Sequence, residues 1–390
     1  MPHAARVFPG TTARQDGRLP SDGRRLDSLT GLRFPAALLV FFSHTALLSL
    51  RLFDDEQVAM DYFRATSFAG ALGVTFFFVL SGFVLTWSAR EQDTARAFWR
   101  RRFVKIYPNY VVTWALALLL FASSITPVRV ALANLFMVQS WVPSPEYISS
   151  VNPPSWSLGC EALFYASFPV VHRLLRRVRA EHLKYGLIAA LTAVVLTPLL
   201  AYALMPDTPT IVGGEAFGVR GTVEQYWVDY ILPPVRMVDF VLGILLALVV
   251  RSGRWRGIGV TAAGLLLAGS YVLCSYVPFL YALRVVTIVP IVLLVAAAAT
   301  ADVAGRRTVL NSRVVVFLGE ISFAFYLVHY IVIACGREVL NGYFSTVETV
   351  GLMMAELVVA VMLSWALYAL VERPITRRWS TSRRPRHATG

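Results

Sequence analysis

Apolar residues run along this chain in long blocks, not at alternate positions. Alternation marks half-buried strands, whereas blocks of this length mark helices that are apolar all round. About ten blocks approach the roughly 20 residues that a helix needs to cross a bilayer. They are 33–51, 67–88, 107–123, 156–175, 185–204, 231–250, 258–277, 282–300, 314–335 and 350–371. In lipid only helices and closed barrels satisfy their own backbone. The pattern therefore predicts an all-α integral membrane protein with about ten transmembrane helices. A further apolar segment, 128–141, is too short to span and is predicted to be re-entrant or interfacial. The expected organisation is a disordered N-terminal tail over 1–30, a transmembrane domain over 31–375 and a tail over 376–390. No repeat, low-complexity segment or second soluble domain interrupts it, and a large loop near 205–230 is placed to help shape an acceptor site.

Composition agrees with that pattern. Hydrophobic residues make up 57% of the chain and charged residues only 15%, where soluble domains carry about a quarter charged. Mean hydropathy is +0.61. The net charge of +13 does not require nucleic acid, and none is expected, because cytosolic loops of membrane proteins collect basic residues. With the N-terminus inside, every basic cluster falls on the cytosolic side: Arg96–Lys105, Arg176–Lys184, Arg251–Arg256, Arg306–Arg313 and Arg373–Arg386. The acidic run Asp54, Asp55, Glu56 and Asp61 falls outside. The chain is thus expected in the cell membrane with both termini cytosolic and its first helix retained. Cys160, Cys274 and Cys335 sit in or beside apolar blocks without metal-ligand spacing, and are read as core residues; no metal is expected.

Ionisable residues inside a bilayer are costly, so each is a functional candidate. Arg33 stands at the inner end of the first helix. His44, eleven residues on, lies about 16 Å deeper on nearly the same face. Glu161 and His329 come from two other helices and are expected to share a shallow slab with His44 in the outer half of the membrane. Arg236, Asp239 and Glu356 lie at similar depth and are expected to pair. A neutral histidine can take the proton of a hydroxyl as it attacks a carbonyl, and a carboxylate beside it orients the ring. His44 is the candidate base and Glu161 its candidate partner. The inner loop WRRRFVKIYP presents Arg102 and Lys105 three residues apart at a helix entrance. Cations there suit the phosphates of a polyanionic donor such as coenzyme A, and their depth below His44 is about the reach of a pantetheine arm.

Six strings, in order, resemble motifs of the acyltransferase-3 family of membrane O-acyltransferases. Arg33 and His44 in LTGLRFPAALLVFFSH match the basic residue, ten residues and His of the family's first helix. FFFVLSGF, with Ser81 and Gly82, matches the aromatic Ser-Gly string. Arg102, Lys105 and Pro108 match Arg-x-x-Arg with a nearby Pro, except that Lys replaces the second Arg and lacks its phosphate-gripping fork. PPSWSLGCEALFY matches through Trp156, Ser157, Leu158 and Glu161. GEISFAFYLVH matches through Ser322, Tyr326 and His329, with Phe323 where Tyr is common. VERPITRR matches through Glu372 and Pro374.

The resemblance covers about residues 26–378. It implies His44 as general base assisted by Glu161. It implies an acyl-CoA donor, acetyl or another short chain, held by Arg33, Arg102, Lys105, Ser81 and Gly82. It implies a hydroxyl acceptor near Trp156, Ser157, Tyr326 and His329. A chain of this size, with arginine as nearly its only cation and a composition suited to an actinomycete's genome, resembles the branch that acylates macrolides in antibiotic biosynthesis. Two other functions remain open: O-acylation of a cell-surface polysaccharide or lipid-linked sugar, and proton-coupled transport. Against transport stand the lack of internal repeats and of paired broken helices.

Overall fold

A computed structural model describes residues 25–49, 52–90, 93–211, 221–340 and 342–379. Most of the predicted N-terminal tail, the C-terminal tail from 380 and the 212–220 part of the predicted outer loop lie outside the described residues. In chain order the helices are α1 Asp27–Gly31, α2 Arg33–Ser49, α3 Glu56–Thr66, α4 Ala69–Trp87, α5 Ala95–Ala117, α6 Val128–Leu135, α7 Pro145–Ile148, α8 Trp156–Leu175, α9 Leu183–Leu204, α10 Val223–Tyr226, α11 Pro233–Arg251, α12 Val260–Leu273, α13 Phe279–Val303, α14 Arg313–Val339, α15 Thr346–Leu367 and α16 Arg373–Trp379. Among the described residues there is no β-sheet, only two isolated bridges. The protein is an all-α, multi-pass membrane protein.

Among the described residues seven helical stretches are long and apolar enough to cross a membrane: Glu56–Trp87, Ala95–Ala122, Leu183–Leu204, Val223–Arg251, Phe279–Val303, Arg313–Val339 and Thr346–Trp379. The expected count of ten is not reached by that measure. The three remaining predicted spans are all helical, but α2 is 17 residues, α12 is 14, and the 20-residue α8 carries Glu161, His172 and Arg173. The segment 128–141 does not cross. It forms the eight-residue α6 and a 3-10 turn over Gln139–Trp141, a rise of only about 12 Å for the helix.

The centre of the bundle is the crossing of α4 and α11. It is close because each helix offers a glycine to the other's backbone: a side chain at Gly82 would strike the Phe240 carbonyl, and one at Gly243 the Val79 carbonyl. Small residues at a crossing are how membrane helices gain packing energy where lipid supplies no hydrophobic drive. Around this pair, α2 packs on α4 and α14, α14 on α15, and α12 on α13.

Four charged side chains, none of them exposed, join α11, α13 and the turn before α11. Arg236 reaches Asp239 at 3.2 Å, and Arg284 reaches Asp229 at 3.3 Å and Asp239 at 3.5 Å. The Arg236 guanidinium also lies between the rings of Phe78 and Tyr230, 4.9 and 4.8 Å from their centroids. The predicted pairing of Arg236 with Asp239 is present, but Glu356 takes no part in it. That carboxylate sits on α15 against Gly336, with neither oxygen hydrogen-bonded; Arg284, which the depth argument overlooked, is the third partner instead.

At the opposite end, residues 25–32 belong to the folded body, although the sequence pattern assigns most of them to the tail. Leu29 is buried, and Ser28 is latched to Asp302 of α13 by its N–H at 2.8 Å and its hydroxyl at 2.6 Å. The acceptor for that latch lies nearly 280 residues away, which local hydropathy cannot register. Cys160 and Cys274 are buried, Cys335 is half-buried, and none is in a disulfide.

Replacing Gly82 with Val forces α4 and α11 apart. Overpacking of this kind costs about 1–3 kcal/mol, so the apparent melting temperature of the detergent-purified protein is expected to fall by several degrees, whereas Gly264→Val, where nothing lies near, leaves it unchanged.

Candidate active site

Five helices enclose one cleft with about 880 Å³ of space, part of it open to solvent. Its position follows from how α8 begins. The chain between α5 and α8 folds back into the bundle without regular structure long enough to span. Asn152 donates to the carbonyl of Leu327 at 2.9 Å. The Tyr326 hydroxyl donates to the Pro154 carbonyl at 3.0 Å and lies 2.8 Å from the Ser157 hydroxyl. Tyr326 and Leu327 are midway along the 27-residue α14, about 20 Å from its start. Helix α8 therefore starts inside the protein, at mid-height, and not at a membrane surface. Counting depth from its first residue as if from the surface misplaces Glu161, which is farther toward the end bearing Arg33.

There Glu161 accepts a hydrogen bond from the Tyr165 hydroxyl at 2.9 Å, and that hydroxyl is 3.5 Å from the hydroxyl of Ser81. The guanidinium groups of Arg33 and Arg102 are its nearest charged neighbours. The expected contact of Glu161 with His44 is not formed. Three cations face the cleft, Arg33 from α2 and Arg102 and Lys105 from α5. Lys105 lies 3.8 Å from Glu372, whose other oxygen accepts from Asn109 at 2.7 Å. Among the described residues Arg33 and Arg102 have no ion-pair partner within 4.0 Å, and the Nε of Arg102 is buried without a hydrogen bond. Both guanidinium groups are half-buried, and a charge drawn partly out of water without a partner is unfavourable, which makes this end of the cleft suited to an anion.

His44 has another partner. Its Nδ1 lies 3.0 Å from His329 Nε2, and His329 Nδ1 lies 3.1 Å from the Phe325 carbonyl. A carbonyl only accepts, so His329 carries its proton on Nδ1. Its Nε2 is then an acceptor in the neutral ring, and the proton between the rings belongs to His44 Nδ1. That assignment, made from the hydrogen-bond network, leaves the lone pair of His44 on Nε2. The Tyr330 ring stands edge-on to His44 at 5.3 Å, and the Tyr326 ring, which lines the cleft, is 5.9 Å from that of His329.

Of the residues singled out in the sequence, Arg33, Ser81, Arg102, Lys105, Ser157, Glu161 and Tyr326 line the cleft. His44 and His329 form a pair beyond Tyr326. Gly82 faces away, into the α4–α11 crossing. Trp156 packs between Phe78 and Tyr230 and does not line the cleft. Sequence reasoning missed Tyr165, whose signal is its place one turn after Glu161 on the same helix face. It also missed Glu372 as the counter-charge of Lys105; only the motif containing it was visible. Among the described residues no group of His, Cys, Asp and Glu is arranged to hold a metal ion.

A bundle of long apolar helices around a cleft with cations at one end and a histidine pair beyond the other defines a membrane-embedded enzyme class, and comparison with known proteins gives that class its name. The chain belongs to the acyltransferase-3 family, whose acyltransferase domain matches residues 26–369. It is 41% identical over 366 residues to the acyltransferase MdmB of Streptomyces mycarofaciens, across 90% of this chain and 92% of that protein. A shorter match, 39% identical over 107 residues, links 25% of this chain to 33% of the exopolysaccharide production protein ExoZ of Rhizobium meliloti. No solved structure matches.

The cleft geometry gives a direct test. In a Cys335→Ser background, Ser81→Cys is expected to react rapidly with a small methanethiosulfonate reagent, while Cys160 and Cys274, both buried, stay unlabelled; mass spectrometry of the intact protein reads the difference.

Proposed function

We propose that this acyltransferase moves a short acyl group, acetyl or propionyl, from acyl-CoA to a hydroxyl of a glycosylated macrolide. The observation that carries the reading is the hydrogen-bond chain from the Phe325 carbonyl through His329 to His44. In the tautomer that this chain of bonds favours, His44 Nδ1 is held by His329 and its Nε2 is left unprotonated. His44 is the base. As Nε2 takes the proton of the acceptor hydroxyl, the oxygen attacks the thioester carbonyl, the carbon–sulfur bond breaks, and the thiolate leaves to be protonated as free coenzyme A. General-base catalysis of this kind is worth about 10²–10⁴-fold.

The donor enters at the end bearing Arg33, Arg102 and Lys105. There, two guanidinium groups lack carboxylate partners, and phosphates supply them. In this reading that end is cytosolic, both termini are cytosolic, and the transmembrane domain over 31–375 sits in the cell membrane. Ser81, Tyr165 and Glu161 line the path of the pantetheine arm; Glu161 acts on the donor side and not by orienting His44. Ser157 and Tyr326 face the acceptor. Trp156 and Gly82 act by holding the walls. The likeness to an acyltransferase covers 90% of the chain, whereas the ExoZ match, which would suggest a polysaccharide acceptor, covers 25%.

The test is thiol release from acetyl-CoA and propionyl-CoA by the purified protein with hydroxylated macrolides. His44→Ala is expected to lower kcat by at least 100-fold with donor affinity kept. His329→Ala is expected to lower kcat less, because the base remains but its tautomer and orientation are no longer held. Activity of His44→Ala near that of the parent protein removes the general-base role. Changing Arg102 and Lys105 together to Ala is expected to weaken donor binding at least tenfold in a calorimetric titration, with the effect shrinking as salt rises.

A further inference from the structure

A second opening lies away from the cleft, between the start of α12 and the end of α13. It is a broad groove with about 1410 Å³ of open space. Its charged wall is Arg256 from the α11–α12 connection with Arg306 and Arg307 from the turn after α13. All three are exposed, and among the described residues none has an ion-pair partner. Its other wall is apolar: Ile258 and Ala262 lead onto Leu265 and Leu266, which are 70% and 51% exposed along α12. Trp255, half-buried, also lines the groove. Loop charge at this end of the bundle is expected from topology alone. Topology does not explain why three arginines from two separate connections converge on one groove, nor why the groove continues into the lipid-facing surface of a helix.

We infer that this groove binds an anionic phospholipid, its phosphate on Arg256, Arg306 and Arg307 and its chains along α12. The two walls decide between phosphate sources. A free phosphate or a nucleotide uses only the arginines, whereas a lipid uses both walls, with tryptophan at the level where headgroup meets chain. The floor of the groove also has a structural tie to the cleft. Thr308, in the same turn, lies 3.2 Å from the Ser28 hydroxyl, and Ser28 latches α1, which leads directly into Arg33. A lipid seated on Arg306 and Arg307 therefore steadies the turn that holds the cleft's first helix. The site does not depend on the reaction assigned to the cleft.

The experiment is a titration of the detergent-purified full chain with fluorescent phosphatidylglycerol, with phosphatidylcholine and glycerol phosphate as competitors. Phosphatidylglycerol is expected to bind saturably and to raise the apparent melting temperature. Neither competitor should displace it at equal concentration. Removal of each arginine (Arg256→Gln, Arg306→Gln, Arg307→Gln) is expected to weaken binding about fivefold. Ala262→Trp, which fills the apolar wall and keeps every charge, is expected to weaken it as well; elution as a single species confirms that a variant is folded. Displacement by glycerol phosphate would make this a plain phosphate site and overturn the proposal. So would unchanged binding in the triple arginine variant, or no binding of phosphatidylglycerol at all.

Discussion

Irregular backbone cannot face lipid, because no water is there to satisfy its N–H and carbonyl groups. The stretch from 134 to 155 meets that constraint by bonding buried polar groups to α14 and to itself. Asn152 reaches Leu327, Gln139 reaches Ser155, and Asn134 reaches Ser150. The start of α8 is fixed at mid-height by those bonds. From it follow the depth of Glu161, the exposure of Ser157 to the cleft and the space between α4, α5, α8 and α14. Without this inward fold α8 would begin at a surface, and the cleft would lose a wall.

The cleft separates two kinds of electrostatic task. At one end three cations face two carboxylates, Glu161 and Glu372, leaving a formal excess of one positive charge. That imbalance favours an anion without requiring one for folding, since Glu372 is already near Lys105 and Glu161 near Arg33 and Arg102. At the other end the histidine pair is held without any carboxylate.

Much of this was legible in the sequence. Block length carries the fold class. The short 128–141 segment was recognisable because length alone excludes a span. What escaped was long-range. The pairing of His44 with His329, the bonding of Ser28 to Asp302 and the reach of Arg284 to Asp229 and Asp239 join residues far apart in the chain, and no local pattern encodes them. Glu161 was misplaced for a definite reason: depth counted along a helix is correct only when the helix starts at the surface, and α8 does not. Gly82 was read for chemistry when its lack of a side chain serves a helix crossing. The count of ten is not confirmed at α2, α8 and α12, where a short helix or polar side chains fall below the length and hydropathy of a clear span.

The buried cluster of Arg236, Arg284, Asp229 and Asp239 holds equal numbers of positive and negative charges. A transmembrane voltage exerts about 2.3 kcal/mol per elementary charge per 100 mV on a charge that crosses the field. On a rigid cluster whose charges cancel it does almost no net work. Through Arg236, which packs on Phe78 of the cleft wall, these four side chains brace that wall with ionic bonds and add no net charge for the field to act on.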